Sequence, residues 1–370
     1  LYAMLTSELY YTLALLKAEG VGDVVAKKLI QHCGSAENVF QSKKKELLSI
    51  DGIGTVLLKN LNNKSIFDDA QAELDFIQKE GIIVHSFKDE TYPEKLKYCF
   101  DSPTLLFSSG EIQLNKQPII SIVGTRQITS YGTAFCKQLI EDIAPLNPII
   151  VSGFAYGVDI VAHQAAIEYN LQTIGVLAHG LNQIYPKQHK KFVAKMEQNG
   201  GFFTEFWHTS NPDKENFVKR NRIVAGMAEA TIVIESAEKG GSLITATLAN
   251  DYNRDVFAVP GRVGDKFSAG CINLIKTQRA HLLTSAADLI YIMNWQLQPQ
   301  KSKPVQKQLF VSLEEDEQKV YDYLFQKGKE LMDIIAIECD FPVYKISSIL
   351  LSLELKGVIR PLPGKLFEAI

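Results

Sequence analysis

The sequence predicts an α/β protein. Its centre reads as a doubly wound parallel sheet of extended Rossmann-like form, between a small helical domain and a C-terminal winged helix. Three observations predict this. From about residue 117 to 295, short β-rich apolar runs alternate regularly with helical patterns. The first two runs, Gln117-Pro-Ile-Ile-Ser-Ile-Val123 and Pro148-Ile-Ile-Val-Ser152, each stop at a glycine. Neither alternates with polar residues, as expected of strands covered on both faces. The two ends of the chain carry helical spacing instead.

Composition bounds the alternatives. At 370 residues the chain can hold two or three domains. A net charge of −3 argues against a protein that coats nucleic acid over its whole surface, yet permits a local basic groove. Cys33, Cys99, Cys136, Cys271 and Cys339 form no C-x-x-C pair, so they read as reduced thiols and not as a metal site or disulfide frame. No apolar run approaches about 18 residues, and no basic segment precedes an apolar one at Leu1-Tyr-Ala-Met4. No membrane span, metal or cofactor is expected, and the expected location is cytoplasmic.

In chain order, residues 1–66 come first. Glu19-Gly-Val-Gly-Asp23 and Asp51-Gly-Ile-Gly-Thr55 each place Gly-x-Gly between helical patterns, 32 residues apart. The pair resembles two helix-hairpin-helix units, whose glycine turns can offer backbone N–H groups to a phosphate. Lys27, Lys28 and Lys59 would lie nearby. Residues 67–295 form the core domain. Within it, Phe67–Glu80 has helical spacing and Gly81 is its expected stop. Ile82-Ile-Val84 and the run ending at Phe107 read as strands at the edge of the sheet. Strands follow through Val123, Val151, Thr173–Leu177, Phe202–Phe206, Thr231–Ile234 and Asp255–Val259. Helices begin near Ser130, after Asp159, at Tyr185-Pro186, at Phe217 and at Gly240-Gly-Ser242. Residues 296–309, rich in Gln, Lys and Pro, read as a linker. Residues 310–370 read as three helices and a hairpin turning at Pro363-Gly364, a winged helix. Its third helix carries few cations for a duplex reader.

Candidate site residues collect where strands hand over to helices, the edge at which open α/β sheets bind ligands. Arg126 follows the first core strand as a bidentate phosphate binder. Lys219, Arg220 and Arg222 open one helix, and Lys187, Lys190, Lys191 and Lys195 line another. Tyr131, Tyr156, Tyr185 and Phe217 are candidates to stack on bases. Neither G-x-G-x-x-G nor a P-loop is present.

The run Ser152-Gly-Phe-Ala-Tyr-Gly-Val-Asp159 resembles the S-G-x-A-x-G-[IV]-D signature of the bacterial DNA-processing protein A (DprA, or Smf) family. Other marks of that family stand in order around it: Tyr92-Pro93, Gly124-Thr-Arg126, Tyr131-Gly132, Tyr185-Pro186, Arg220-Asn-Arg222 and Gly241-Ser-Leu-Ile-Thr-Ala246. Val218 departs from the family's usual proline. The resemblance implies a single-stranded DNA-binding protein of natural transformation. It would protect incoming strands and help load the RecA recombinase as a homodimer, with no catalytic residue. It makes Arg126 the principal DNA-binding arginine, with Lys219 and Arg222 lining the same pocket. Lys187 and Lys190 extend the track; Gly153 and Gly157 leave room for phosphates; Ser152 and Ser242 are hydroxyl donors. His163 and Asp159 read as structural. The alternative is a nucleotide phosphoribohydrolase of the lysine-decarboxylase-like type, whose G-G-x-G-T-x-x-E loop supplies a glutamate. Here that position falls on Thr245 or Thr247.

Overall fold

The computed structural model describes residues 2–114, 117–295, 313–362 and 366–369. The chain divides into two compact units, Leu1–Gln298 and Pro299–Ile370. The expected linker and the Pro363-Gly364 turn lie outside the described residues.

The first unit opens with six helices: α1 (Tyr2–Lys17), α2 (Asp23–Cys33), α3 (Ala36–Gln41), α4 (Lys44–Leu48), α5 (Thr55–Leu61) and α6 (Ser65–Glu80). Gly20 and Gly52 adopt φ of +86° and +84°, which only glycine accepts freely. Gly22 and Gly54 cap α2 and α5. The two turns face each other reciprocally. Lys28 Nζ donates to the Asp51 carbonyl, and Asn60 Nδ2 donates to the Glu19 carbonyl at 3.0 Å. Each donor lies eight residues past the first glycine of its own turn, and each acceptor just precedes the other's. Of the lysines expected near these turns, Lys28 lies at the second one. Lys28 bridges the hairpins, and Lys27 turns inward onto the Ser102 carbonyl and hydroxyl. Burial pulls the Lys27 ammonium down to about 8. Helix α6 buries Ile66, Ala70, Leu74 and Ile77 along one stripe and stops at Gly81, as expected. The helical core continues onto Leu105 and Phe107 of the sheet edge.

The sheet has nine strands among the described residues. They are β1 (Ile83–Ser86), β2 (Leu105–Ser109), β3 (Ile119–Val123), β4 (Ile149–Ser152), β5 (Thr173–Val176), β6 (Gly200–Thr204), β7 (Ala230–Val233), β8 (Asp255–Ala258) and β9 (His281–Leu282). Their order is β1-β2-β6-β5-β4-β3-β7-β8-β9, parallel from β6 to β9, with β2 antiparallel to β6 and β1 to β2. Between the strands run α7 (Glu94–Lys97), α8 (Ser130–Ile143), α9 (Val158–Glu168), α10 (Lys190–Gln198), α11 (Lys214–Met227), α12 (Gly241–Asp251), α13 (Ala269–Lys276) and α14 (Ala286–Ile292). One face of the sheet packs against α8, α9 and α14 through Leu139, Ile140, Ala162 and Leu289. The other packs against α11, α12 and α13 through Ile223, Ala246 and Leu274. Two helices start away from their expected positions. α11 begins at Lys214, and Tyr185-Pro186 leads into a 3₁₀ turn, Lys187–His189, before α10. The chain winds outward from β3 to β6, then returns to the far side of β3 as β7. That reversal opens a crevice at the carboxyl ends of β3 and β7.

The second unit holds α15 (Glu315–Lys327), β10 (Lys329–Leu331), α16 (Met332–Glu338), α17 (Val343–Leu355), β11 (Ile359–Leu362) and β12 (Leu366–Ala369). Its sheet runs β10-β12-β11, one strand more than expected, over a core of Val320, Leu324, Ile346 and Leu350. The Lys345 ammonium lies 2.6 Å from Asp316, and Lys356 pairs with Glu317.

Candidate nucleic-acid interface

The crevice at the β3–β7 reversal is an open cavity of about 740 Å³. The loops after β3, β4 and β7 and the first turns of α11 line it. Arg126 reaches it from the β3 loop and is exposed. Its guanidinium lies 5.1 Å from the centroid of the Phe217 ring, a cation–π contact. Phe217 meets Tyr185 edge to face at 5.8 Å. The loop is held from behind. Thr125 N–H donates to the Glu235 carbonyl at 2.7 Å, and Val158 N–H to the Thr125 carbonyl at 3.1 Å. Gly157, at φ +77°, lets α9 begin this close, since a Cβ there would stand 2.2 Å from the Thr125 carbonyl oxygen. The glycine makes room for the arginine's own loop, where room for phosphate was expected.

Gly153 has a comparable role. A Cβ at Gly153 would fall 1.9 Å from Arg220 Nη1. Arg220 is 3% exposed and lies on the cavity floor, with Nη1 donating to the Val176 carbonyl at 2.7 Å and Nε unpartnered. Burial lowers its pKa to about 10, and neighbouring Asp159 opposes that, so it remains cationic at neutral pH. Ser152 is fully buried and donates to the Ile122 carbonyl at 2.6 Å. Its expected role as a donor to ligand is corrected: the hydroxyl joins β4 to β3. Ser242 does line the cavity, donating to Ser236 Oγ at 2.9 Å in the first turn of α12. Gly240, the N-cap of α12, provides no side-chain cap for that turn's N–H groups.

The basic run of α11 does not act as one cluster. Residues on a helix turn about 100° per position, so neighbours in sequence leave in different directions. Phe217 and Asn221 face the cavity. Lys219 and Arg222 do not line it; both converge on Glu205. Lys219 is half exposed, 3.4 Å from that carboxylate and 5.5 Å from the Phe206 ring centroid. Arg222 is buried, paired with Glu205 and with Asp23 of α2 at 3.1 Å, and donates to the Asp101 carbonyl. It ties the helical segment to the core, which corrects its expected place in the pocket. Lys187 and Lys190 are exposed outside the cavity. Gln188, which lies between them in sequence, accepts from Tyr156 Oη at 2.5 Å.

Three exposed lysines of the cavity escaped sequence reasoning: Lys214, Lys239 and Lys266. Lys239 had a signal, since it directly precedes Gly240-Gly-Ser242. Lys214 lies within a turn of Phe217. Lys266 sits in an irregular loop that no periodicity places. Asn221, between the two arginines, was also missed as a lining residue. Among the described residues no group of three His, Cys, Asp or Glu is placed to hold a metal. No described helix is long and apolar enough to cross a membrane.

A parallel α/β sheet with a cationic, aromatic-edged groove at its topological reversal, in one chain with a winged helix, defines a polyanion-binding class of protein. The chain belongs to the DNA recombination-mediator protein A family (DprA), whose model matches residues 83–294; the DprA winged helix domain matches residues 306–365. The Bacillus subtilis DNA processing protein DprA is 38% identical over 213 residues, 57% of this chain and 71% of that protein. The X-ray structure of DprA from Streptococcus pneumoniae is similar with a TM-score of 0.63 at 30% identity, over 76% of this chain and 97% of that one. DNA processing protein A from Helicobacter pylori, described for its single-stranded DNA binding mode, matches with a TM-score of 0.52 at 28% identity. That match covers 58% of this chain and 95% of the other.

Proposed function

We propose that this chain binds single-stranded DNA without altering it, in the cytoplasm, as a homodimer. It protects strands taken up in natural transformation and helps load the RecA recombinase onto them. The observation that carries this reading is the cavity at the β3–β7 reversal. Arg126, Lys214, Lys239 and Lys266 surround an opening edged by Phe217, with uncapped helix N–H groups beside it. Cations neutralise a phosphate path, and a ring stacks on any base, so affinity is strong in charge and tolerant in sequence. Single-stranded DNA binding by the Helicobacter pylori relative supports the same assignment. The hydrolase alternative lacks its carboxylate. Thr245 and Thr247 hold the comparable positions, and both hydroxyls donate back into their own helix.

Fluorescence anisotropy with single-stranded oligonucleotides across a salt series tests the proposal. With about four phosphates neutralised, log K falls with log salt at a slope of about −3. Arg126→Ala with Lys239→Ala removes two charged contacts, lowers affinity by roughly a hundredfold and reduces the slope by about 1.4. Unchanged affinity in that folded variant refutes the assignment. Release of free base from adenosine monophosphate supports the hydrolase instead.

A further inference from the structure

Beside the first cavity lies a second, of about 560 Å³, at the carboxyl end of β8. The two share Lys266 and Phe267 and are separated by them. This partition is fixed: Ser236 N–H donates to the Phe267 carbonyl at 2.7 Å, and Gly270 N–H to the Ser236 carbonyl at 2.9 Å. Lys266 lines both cavities, with Nζ 5.3 Å from the Phe267 ring centroid.

Their chemistries differ. In the first cavity, Arg126, Lys214, Arg220, Lys239 and Lys266 outnumber the single carboxylate, Asp159. In the second, Arg262 and Lys266 balance Glu235 and Asp265. A balanced cavity has no excess charge to hold a phosphate, and a carboxylate inside it repels one. Its walls suit a different group. The Tyr131 ring is half exposed, and its hydroxyl donates to the Pro260 carbonyl at 3.1 Å, which fixes the ring at the mouth. The half-buried Phe267 also lines this cavity. Glu235 is 6% exposed, and its carboxylate is held at the start of α8: it accepts from Thr129 N–H at 2.9 Å and from the Thr129 hydroxyl, and a Cβ at Gly132 would stand 2.6 Å from its Cδ. An aromatic lining without excess charge matches a flat, neutral heterocycle.

We infer that the second cavity is a base subsite: it receives the nucleobase of a strand whose adjoining phosphate is held in the first cavity, with Tyr131 as the stacking face. This rests on the proposed binding of single-stranded DNA by the first cavity. It assigns a direction as well, since the strand continues across Lys266 toward β8.

The test uses the full chain and two fluorescent oligonucleotides of equal length and phosphate count, one intact and one with abasic sites at alternate positions. Wild-type protein is expected to bind the intact strand more tightly. Tyr131→Ala is expected to weaken intact-strand binding by about five- to a hundredfold, the range for loss of one stacked base, with a clearly smaller effect on the abasic strand. If Tyr131→Ala melts early, Tyr131→Leu retains apolar volume without a ring face and is expected to show the same loss. Equal losses on both strands, or no loss on either, overturn the base subsite while single-strand binding stands. Failure of wild-type protein to bind either strand removes the reading of the first cavity itself.

Discussion

Arg126 and Arg222 are both arginines expected at the crevice, yet only Arg126 lines it with a guanidinium free to meet a ligand. Arg222 is enclosed by Glu205, Asp23 and the Asp101 carbonyl. Burial raises the pKa of Glu205, with Arg222 foremost among the charges opposing that rise. Removing the arginine therefore leaves a buried carboxylate with only the half-exposed Lys219 beside it. Arg222→Ala is expected to cost about 3–5 kcal/mol of stability, read by urea denaturation, while the folded fraction keeps its affinity for single strands. A large affinity loss at full stability would return Arg222 to the interface. Arg126 was legible from sequence because a strand end followed by glycine and a cation has few alternative readings. The burial of Arg222 was not, because its partners lie 199 and 17 residues away.

Helices set which residues of a motif act together. The α11 run reads as one basic patch in sequence, but its pitch distributes it among the cavity wall, the floor and the Glu205 side. In the second unit, α17 stands where a duplex-reading helix would, yet it exposes Tyr344, Leu351 and Leu355. The N-terminus of α15 gives a pH prediction. Glu317 accepts from Lys356, from the Ser352 hydroxyl at 2.6 Å and from Glu314 N–H at 2.8 Å. These bonds, the Lys356 one foremost, hold its pKa at about 2 against an ordinary 4.5. A depressed carboxylate stabilises the fold fully above the unfolded pKa and loses that contribution as pH falls through the folded one. The second unit should therefore weaken between about pH 4.5 and 2, followed in the full chain by circular dichroism melting. Glu317→Gln should flatten that dependence. An unchanged acid profile in the variant would show that Glu317 does not set it.

Across the molecule, the N-terminal helices share a continuous core with the sheet edge. Deleting residues 1–80 uncovers Leu105 and Phe107 of β2 and strips Asp23 from Arg222. The truncated chain is expected to aggregate, seen by size-exclusion chromatography; a stable monodisperse product would show the helices to be dispensable for folding. The sequence by itself determined the α/β class, the strand ends, the glycine stops and the loop that carries Arg126. These depend on local periodicity and backbone freedom, which neighbouring residues report. Only the tertiary structure decided that Lys214, Lys239 and Lys266 join Arg126, while Arg222 and Ser152 turn to interior partners. Convergence of side chains from separate loops depends on strand order and helix phase, and burial depends on contacts far apart in the chain.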